Sequence, residues 1–141
     1  MANFRIEVMD WTSAEPIVAP IRFAAFFEDS RSGIELDAQD AAAVHAVAYD
    51  DSGKAIAAGR LLADGRIGPF AAAREWHRLG VDGPLLDALL AEARKRGFAV
   101  VTVTAPLQSA ELYREQGFAA DGKIFQEAGV LQQPMRKTLA G

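Results

Sequence analysis

The sequence predicts one α/β (α+β) domain, a mixed sheet of six to seven strands with helices on both faces. Three observations point there. Apolar and β-branched runs joined by tight-turn residues occupy the middle of the chain. A strongly amphipathic helical stretch follows them, and β-rich segments resume beyond it. A strand, a helix and another strand in one sheet leave helices to cover its faces.

Phe4, Ile6 and Val8 alternate with Arg5, Glu7 and Met9, the period of a half-buried strand. Thr12 or Ser13 can cap a helix running to about Glu28. Pro16 suits its first turn, whereas Pro20 predicts a kink or a late start. Ile17, Ile21, Ala24 and Ala25 are its expected inner face, and the polar stretch 31–41 reads as a loop or short helix. Strands are expected over 44–49 and 55–62, joined by Asp50-Asp51-Ser52-Gly53-Lys54. Asp64-Gly65 turns the chain into a fourth strand, 66–73, in which Pro69 removes a donor and predicts a kinked or unpaired stretch.

The next helix is expected from about Gly83 to Arg96. Leu85, Leu86, Leu89, Leu90 and Ala93 share one face, and Gly97 ends it. A buried strand over 98–104, a short helix from about Ser109 to Gln116 closed by Gly117, and strands over 118–125 and 131–139 complete the order β-α-β-β-β-α-β-α-β-β. The final strand, read as a sheet edge, offers a route to a homodimer across a two-fold axis.

The 141 residues suit a single domain, 1–141, with its own core. The net charge of −4 argues against general nucleic-acid binding and against an electrostatic membrane anchor. No apolar run reaches membrane-span length, the first residues carry no signal-peptide pattern, and there is no cysteine. A cytoplasmic protein without disulfides or thiolate metal sites is expected, and two scattered histidines, His45 and His77, do not make a metal site. Arg60, inside a central strand, is expected to pair with an acidic neighbour, because an unpaired buried charge is costly.

The most informative stretch runs from Glu75 to Leu86. A strand, a Gly-containing loop and a helix start form a natural anion site, since unpaired backbone N–H groups and the helix dipole both favour negative charge. Asp82, a good N-cap, puts a carboxylate where a phosphate would sit.

Several segments carry a family resemblance over nearly the whole chain. They are Phe26-Phe27-Glu28, then Asp37, Asp40, Ala43 and His45, then Gly59-Arg60-Leu61-Leu62 and Asp64-Gly65-Arg66-Ile67-Gly68. Leu112-Tyr113-Arg114-Glu115-Gln116-Gly117-Phe118, Phe125-Gln126-Glu127-Ala128-Gly129-Val130 and Met135 complete the set. In that order the chain resembles the GNAT superfamily of acyl-CoA-dependent acyltransferases, and within it the small single-domain N-acetyltransferase branch.

The resemblance implies that the fourth and fifth strands splay apart and that acetyl-CoA, the co-substrate, lies in the gap. The implied cofactor-binding residues are Phe70, Ala71, Ala72 and Ala73 on the strand, with His77, Arg78, Leu79, Gly80, Val81, Asp82 and Gly83 in the loop and helix start. It further implies direct attack by a small-molecule amine acceptor, with Tyr113 as general acid and Glu28 near the amine as base. The chain departs from the pattern at Asp82, Pro69, Pro106, Gln108 and Gln132. Those departures leave a second reading open, a degenerate, non-catalytic domain that senses a ligand or dimerises.

Overall fold

The computed structural model describes residues 4–29, 36–72, 80–127 and 129–139, the side chains of 26–29 excepted. The elements are β1 (Arg5–Met9), α1 (Trp11–Asp29), a 3-10 turn (Ala38–Ala42), β2 (Val44–Tyr49), β3 (Ala55–Leu61), β4 (Arg66–Ile67) and β5 (Ala71–Ala72). Then come α2 (Asp82–Lys95), β6 (Val100–Pro106), a 3-10 turn (Leu107–Ser109), α3 (Ala110–Glu115), β7 (Ala119–Ala120), β8 (Phe125–Glu127) and β9 (Val130–Thr138). Among the described residues the strands form one mixed sheet in the order β1-β2-β3-β4-β6-β9-β7, with β5 added beside β3 and β8 beside β9.

Among the described residues nine strands stand where six to seven were expected, because two of the expected strands are interrupted. The fourth breaks between Ile67 and Ala71, where Gly68 has φ +120° and Pro69 has no N–H to give a neighbour. The sixth breaks at Asp121–Ile124, where Gly122 has φ +125° and its carbonyl accepts from Gln133 Nε2 at 3.0 Å. The final strand is not an edge. β9 pairs with β6 along one side and with β7 and β8 along the other.

Helix α1 starts at Trp11, earlier than Thr12 or Ser13 as caps would allow. Asp10 is the capping group, accepting from Ser13 N at 3.1 Å. The helix is continuous through Pro16 and Pro20. Both prolines are exposed and lie four residues apart on one face, so water can reach the carbonyls they leave unpaired. The buried stripe is Ala14, Val18, Arg22 and Ala25, with Ile17 and Ile21 partly covered and Ala24 exposed. The stripe thus sits one step from the expected face and includes an arginine.

Helix α2 matches the sequence pattern closely. Leu85, Leu86, Leu89, Leu90 and Ala93 are its buried face. They pack with Ala46, Ala48, Ala57, Val101, Val103 and Met135 in the main core. Gly97 ends it with φ +81°, and Phe98 N donates back to Ala93 O at 3.0 Å. That helix exit occupies Phe98, which is why β6 begins at Val100 rather than Phe98. On the opposite face of the sheet Ala14 and Val18 of α1 meet Val47 and Ala58 in a smaller cluster. Among the described residues no helix is long and apolar enough to cross a membrane.

Gly59 ties the central strand to this core. A Cβ added there would lie 2.6 Å from Cδ1 and Cε1 of Phe70 and 3.3 Å from Leu89 Cδ1. Gly59→Ala should therefore destabilise the fold by about 1–3 kcal/mol, read as a lower urea midpoint; a midpoint equal to that of the parent would mean that Phe70 moves aside freely.

Candidate active cleft

The cleft follows from the broken fourth strand. β4 pairs with β6 in parallel at Arg66↔Thr102 and Ile67↔Val103, and the ladder stops there. Beyond the break Ala71 and Ala72 pair only with Ala58 and Ala57 of β3. Among the described residues, the edge of β5 turned toward β6 has no strand partner in the sheet, and neither does the corresponding edge of β6 beyond Thr104. The two strands therefore diverge, as the resemblance implies. Ala71 and Ala72 are buried and small, and Phe70, 7 % exposed, seals the apolar side beneath them.

Helix α2 is the next described element of the chain. Its N-cap is Val81, which has no side-chain oxygen, and Asp82 is the first helical residue. The expectation that Asp82 caps the helix is corrected: Leu85 N already donates to Val81 O at 3.3 Å, so the helix starts one residue earlier. Asp82 still stands in the first turn, where its charge suits the dipole and competes with any bound anion. Gly80, φ +78°, is exposed, and Cβ atoms placed on Gly80 or Gly83 would meet nothing within 4 Å. There is thus open space around Gly80 and Gly83 at the start of the helix. Ala73, His77, Arg78 and Leu79 fall outside the described residues, as does the side chain of Glu28.

Tyr113 is on α3 and only 6 % exposed. Its ring meets Phe118 edge-on, with centroids 5.6 Å apart, and belongs to the main core. Gly117, φ +92°, turns the chain so that Phe118 can fold back, its N–H donating to Tyr113 O at 3.0 Å. A cavity of about 350 Å³ opens on the sheet face beside the strand break, lined by Arg60, Gly68, Pro69, Thr102, Thr104 and Asp121 among others. A second, of about 450 Å³, lies past the end of β6 between Leu107, Gln108 and the Gly129–Leu131 segment.

A buried ionic network underlies the cleft. Arg22 of α1 sends Nη1 to both oxygens of Asp40 at 2.9 Å. Arg60 of β3 sends Nη1 to Asp40 Oδ1 and to Asp37 Oδ1, both at 2.8 Å, and Nη2 to Asp37 Oδ2 at 3.1 Å. Asp40 Oδ2 also accepts from Asp37 N at 2.9 Å, one half of a capping box that starts the 3-10 turn. Arg60 Nε donates to Gly68 O at 2.7 Å, at the break of the fourth strand. Arg60 thus has the acidic partners its position demands. Arg22 was missed by sequence reasoning. The signal available was an arginine at helical spacing from Ala14, Val18 and Ala25, in reach of an Asp-rich segment.

Burial alone would raise the Asp40 carboxyl, but the Asp37 amide and the two arginines hold it below the usual carboxylate range. Asp37 is also held low, chiefly by its bonds to Arg60. His45, fully buried, is pushed below its ordinary value by burial, with Arg22 and Arg60 adding repulsion against the pull of Asp40. Its Nε2 lies 3.0 Å from Asp40 O, which can only accept, so Nε2 carries the proton. Nδ1 has no hydrogen-bond partner among the described residues. The ring rests against Trp11 at 4.8 Å, and His45 is a structural hydrogen-bonder in this fold.

The profile of the acetyltransferase (GNAT) domain matches residues 22–139. The chain belongs to the GNAT family, and is by class an acyltransferase. It is similar in structure to an acyl-CoA N-acyltransferase from Pseudomonas aeruginosa, at 20% identity and a TM-score of 0.82, covering 96% of this chain and 100% of that one. An N-acetyltransferase candidate from Lactobacillus plantarum matches at 25% identity and a TM-score of 0.80, covering 97% and 99%. Escherichia coli ElaA matches at 17% identity and a TM-score of 0.80, also covering 97% and 99%. No curated protein matches the chain.

Titration of His45 has a definite sign. The unfolded chain takes up its proton near roughly pH 6.5, whereas the folded chain resists protonation, so U binds more protons in the window below that value. The contribution is fully present above about pH 6.5 and is lost as pH falls through the lowered native value. Asp37 and Asp40 act lower, their contribution being full above about pH 3.9 and lost below it. The urea midpoint should therefore drop between about pH 7.5 and about pH 5.5, and His45→Gln should flatten that slope; an equal slope in the variant would assign it to another group.

Proposed function

We propose that the protein transfers an acetyl group from acetyl-CoA to a small-molecule amine by direct attack. The observation that carries this reading is the end of the β4–β6 ladder after Ile67 and Val103, which leaves the β5 edge without a strand partner among the described residues. Acetyl-CoA supplies the thioester, already activated toward an amine. Backbone groups of Ala71 and Ala72 offer the edge against which the amide-bearing arm of the cofactor pairs as an added strand would. Gly80 and Gly83 leave room for phosphates near the α2 N-terminus, and His77 and Arg78 supply positive charge from the same loop.

Tyr113 donates its proton to the departing thiolate, and Glu28 accepts one from the attacking amine, directly or through water. The cavity beside Pro69 and Thr104, on the sheet face away from α2, gives the amine an approach to the same gap. A second reading, a non-catalytic ligand-binding domain, draws on Asp82. A carboxylate in the first turn of α2 opposes a pyrophosphate by about 1–4 kcal/mol at roughly 4 Å.

Calorimetry decides between the readings. Acetyl-CoA should bind where acetate does not, and Asp82→Gly should bind it more tightly. Unchanged or weaker affinity in a folded Asp82→Gly variant would remove Asp82 as an obstacle. With an accepted amine in hand, Tyr113→Phe should lower turnover at least tenfold while acetyl-CoA affinity stays similar, since general acid help is worth on the order of 10² to 10⁴ in rate. Equal turnover by the Phe variant would exclude the phenol as acid.

A further inference from the structure

We propose that the outer edge of β8 is an interface, at which two copies of this chain pair antiparallel around a two-fold axis through Phe125.

Of the eight large apolar side chains exposed among the described residues, four lie together: Ile124 and Phe125 at β8, and Val130 and Leu131 at the facing end of β9. The last pair between β6 and β9 is Pro106↔Gln132, so Val130 and Leu131 lie past the end of β6. This end of the sheet is a two-stranded arm. The β8–β9 register puts Phe125 and Val130 on one face and Leu131 on the other, with Ile124 on that second face where the strand continues. Two strands alone are marginal in water, and apolar side chains on both faces of such an arm mark a surface that gains from being covered.

The backbone determines what β8 offers a second copy. Asp121 N donates to Pro134 O at 2.8 Å, so the even-numbered residues of β9 turn their polar groups toward β7 and β8. Phe125 and Glu127, opposite Gln132 and Val130, therefore bond inward to β9. The N–H and C=O of Gln126 point outward, and those of Ile124 do so once the strand extends by one residue. Among the described residues no strand lies on that side of β8.

Side chains then select the register. With the axis at Phe125, Ile124 meets Gln126 of the second copy, and both present outward backbone groups. Phe125 meets its own copy in a non-hydrogen-bonded pair, the kind in which side chains come closest. Lys123 meets Glu127 of the second copy, and by symmetry does so twice. Moving the axis to Gln126 would set Phe125 against Glu127. Moving it to Ile124 would set Phe125 against Lys123 and Asp121 against Glu127, a repulsion.

Lys123 and Glu127 are exposed and form no ion pair among the described residues. The opposite margin of the sheet differs. On β1, Arg5 and Glu7 satisfy each other at 2.7 Å, and Arg5 also covers the Tyr49 ring. Charges of one sign on an edge repel a second copy, whereas opposite signs on either side of an aromatic residue are self-complementary. The pairing closes with two copies and leaves no open end for a fibre.

Sedimentation velocity at rising concentration, up to about 0.5 mM, tests this, because so short an edge makes a weak dimer. The parent should dimerise, and less so as salt rises from about 0.05 to about 0.5 M. Lys123→Glu and Glu127→Lys should each weaken the dimer at least about tenfold, since each creates two like-charged pairs. The double exchange, Lys123→Glu with Glu127→Lys, should restore it to within about threefold of the parent. Phe125→Ser should also weaken it at least about tenfold. These side chains are exposed, so the urea midpoint of the monomer should stay that of the parent. A parent that is monomeric at the highest concentration overturns the proposal. So does a dimer that Lys123→Glu leaves intact, or one that the double exchange does not restore, because the copies would then meet at another surface or in another register.

Discussion

A carboxylate with no exposure to solvent organises this molecule. Asp40 is closed off from water by α1 and the sheet, and an ion of its size pays several kcal/mol to leave water. It remains charged because Arg22, Arg60 and the Asp37 amide all donate to it. Those donors come from α1, β3 and the 3-10 turn, and the Asp40 carbonyl fixes His45 at the start of β2. Losing one partner would strand the others in a medium that cannot solvate them. α1, β3 and the turn that leads into β2 are thereby held to one arrangement.

The two faces of the sheet solve the packing problem differently. Against α2 the core is dense and apolar, and its five inward leucine and alanine positions need no direction beyond shape. Against α1 the apolar contact is thin, made by small residues such as Ala14, Val18 and Ala58. Small residues let the helix approach but say little about where along the sheet it stops. The directed bonds of Arg22 supply that information. The cleft lies between these regimes, with Phe70 and Val81 on the apolar side and Arg60 on the charged side of the same broken strand.

Much of the fold is legible in the chain because its signals are local. The α2 stripe, the Gly97 and Gly117 stops, and the β2–β3 turn at Asp50–Lys54 each follow from residues within a few positions of one another, and Asp50 Oδ1 indeed accepts from Ser52 N and Lys54 N. Boundaries shifted where a neighbour intervened. Asp10 captured the start of α1, Phe98 was drawn into the helix exit, and Gln133 bonded Gly122 across the sheet and broke the sixth strand. The family pattern nominated Tyr113, Gly80 and the β5 alanines, but not Arg22, whose partner lies 18 positions away.

By itself, then, the sequence determined the order of elements, the apolar face of α2, the interruption at Pro69 and the family to which the chain belongs. Each rests on periodicity, on a backbone that lacks a donor, or on residues in a recurring order. Only the tertiary structure decided that β9 is an interior strand, that Val81 rather than Asp82 precedes α2, and that Arg22, Asp40, His45 and Arg60 form one buried cluster with Asp37 at its exposed rim. An ion in an apolar stripe reads as an error until its partner is in place, because the cost of burying a charge is settled by groups that the chain brings together only when it folds.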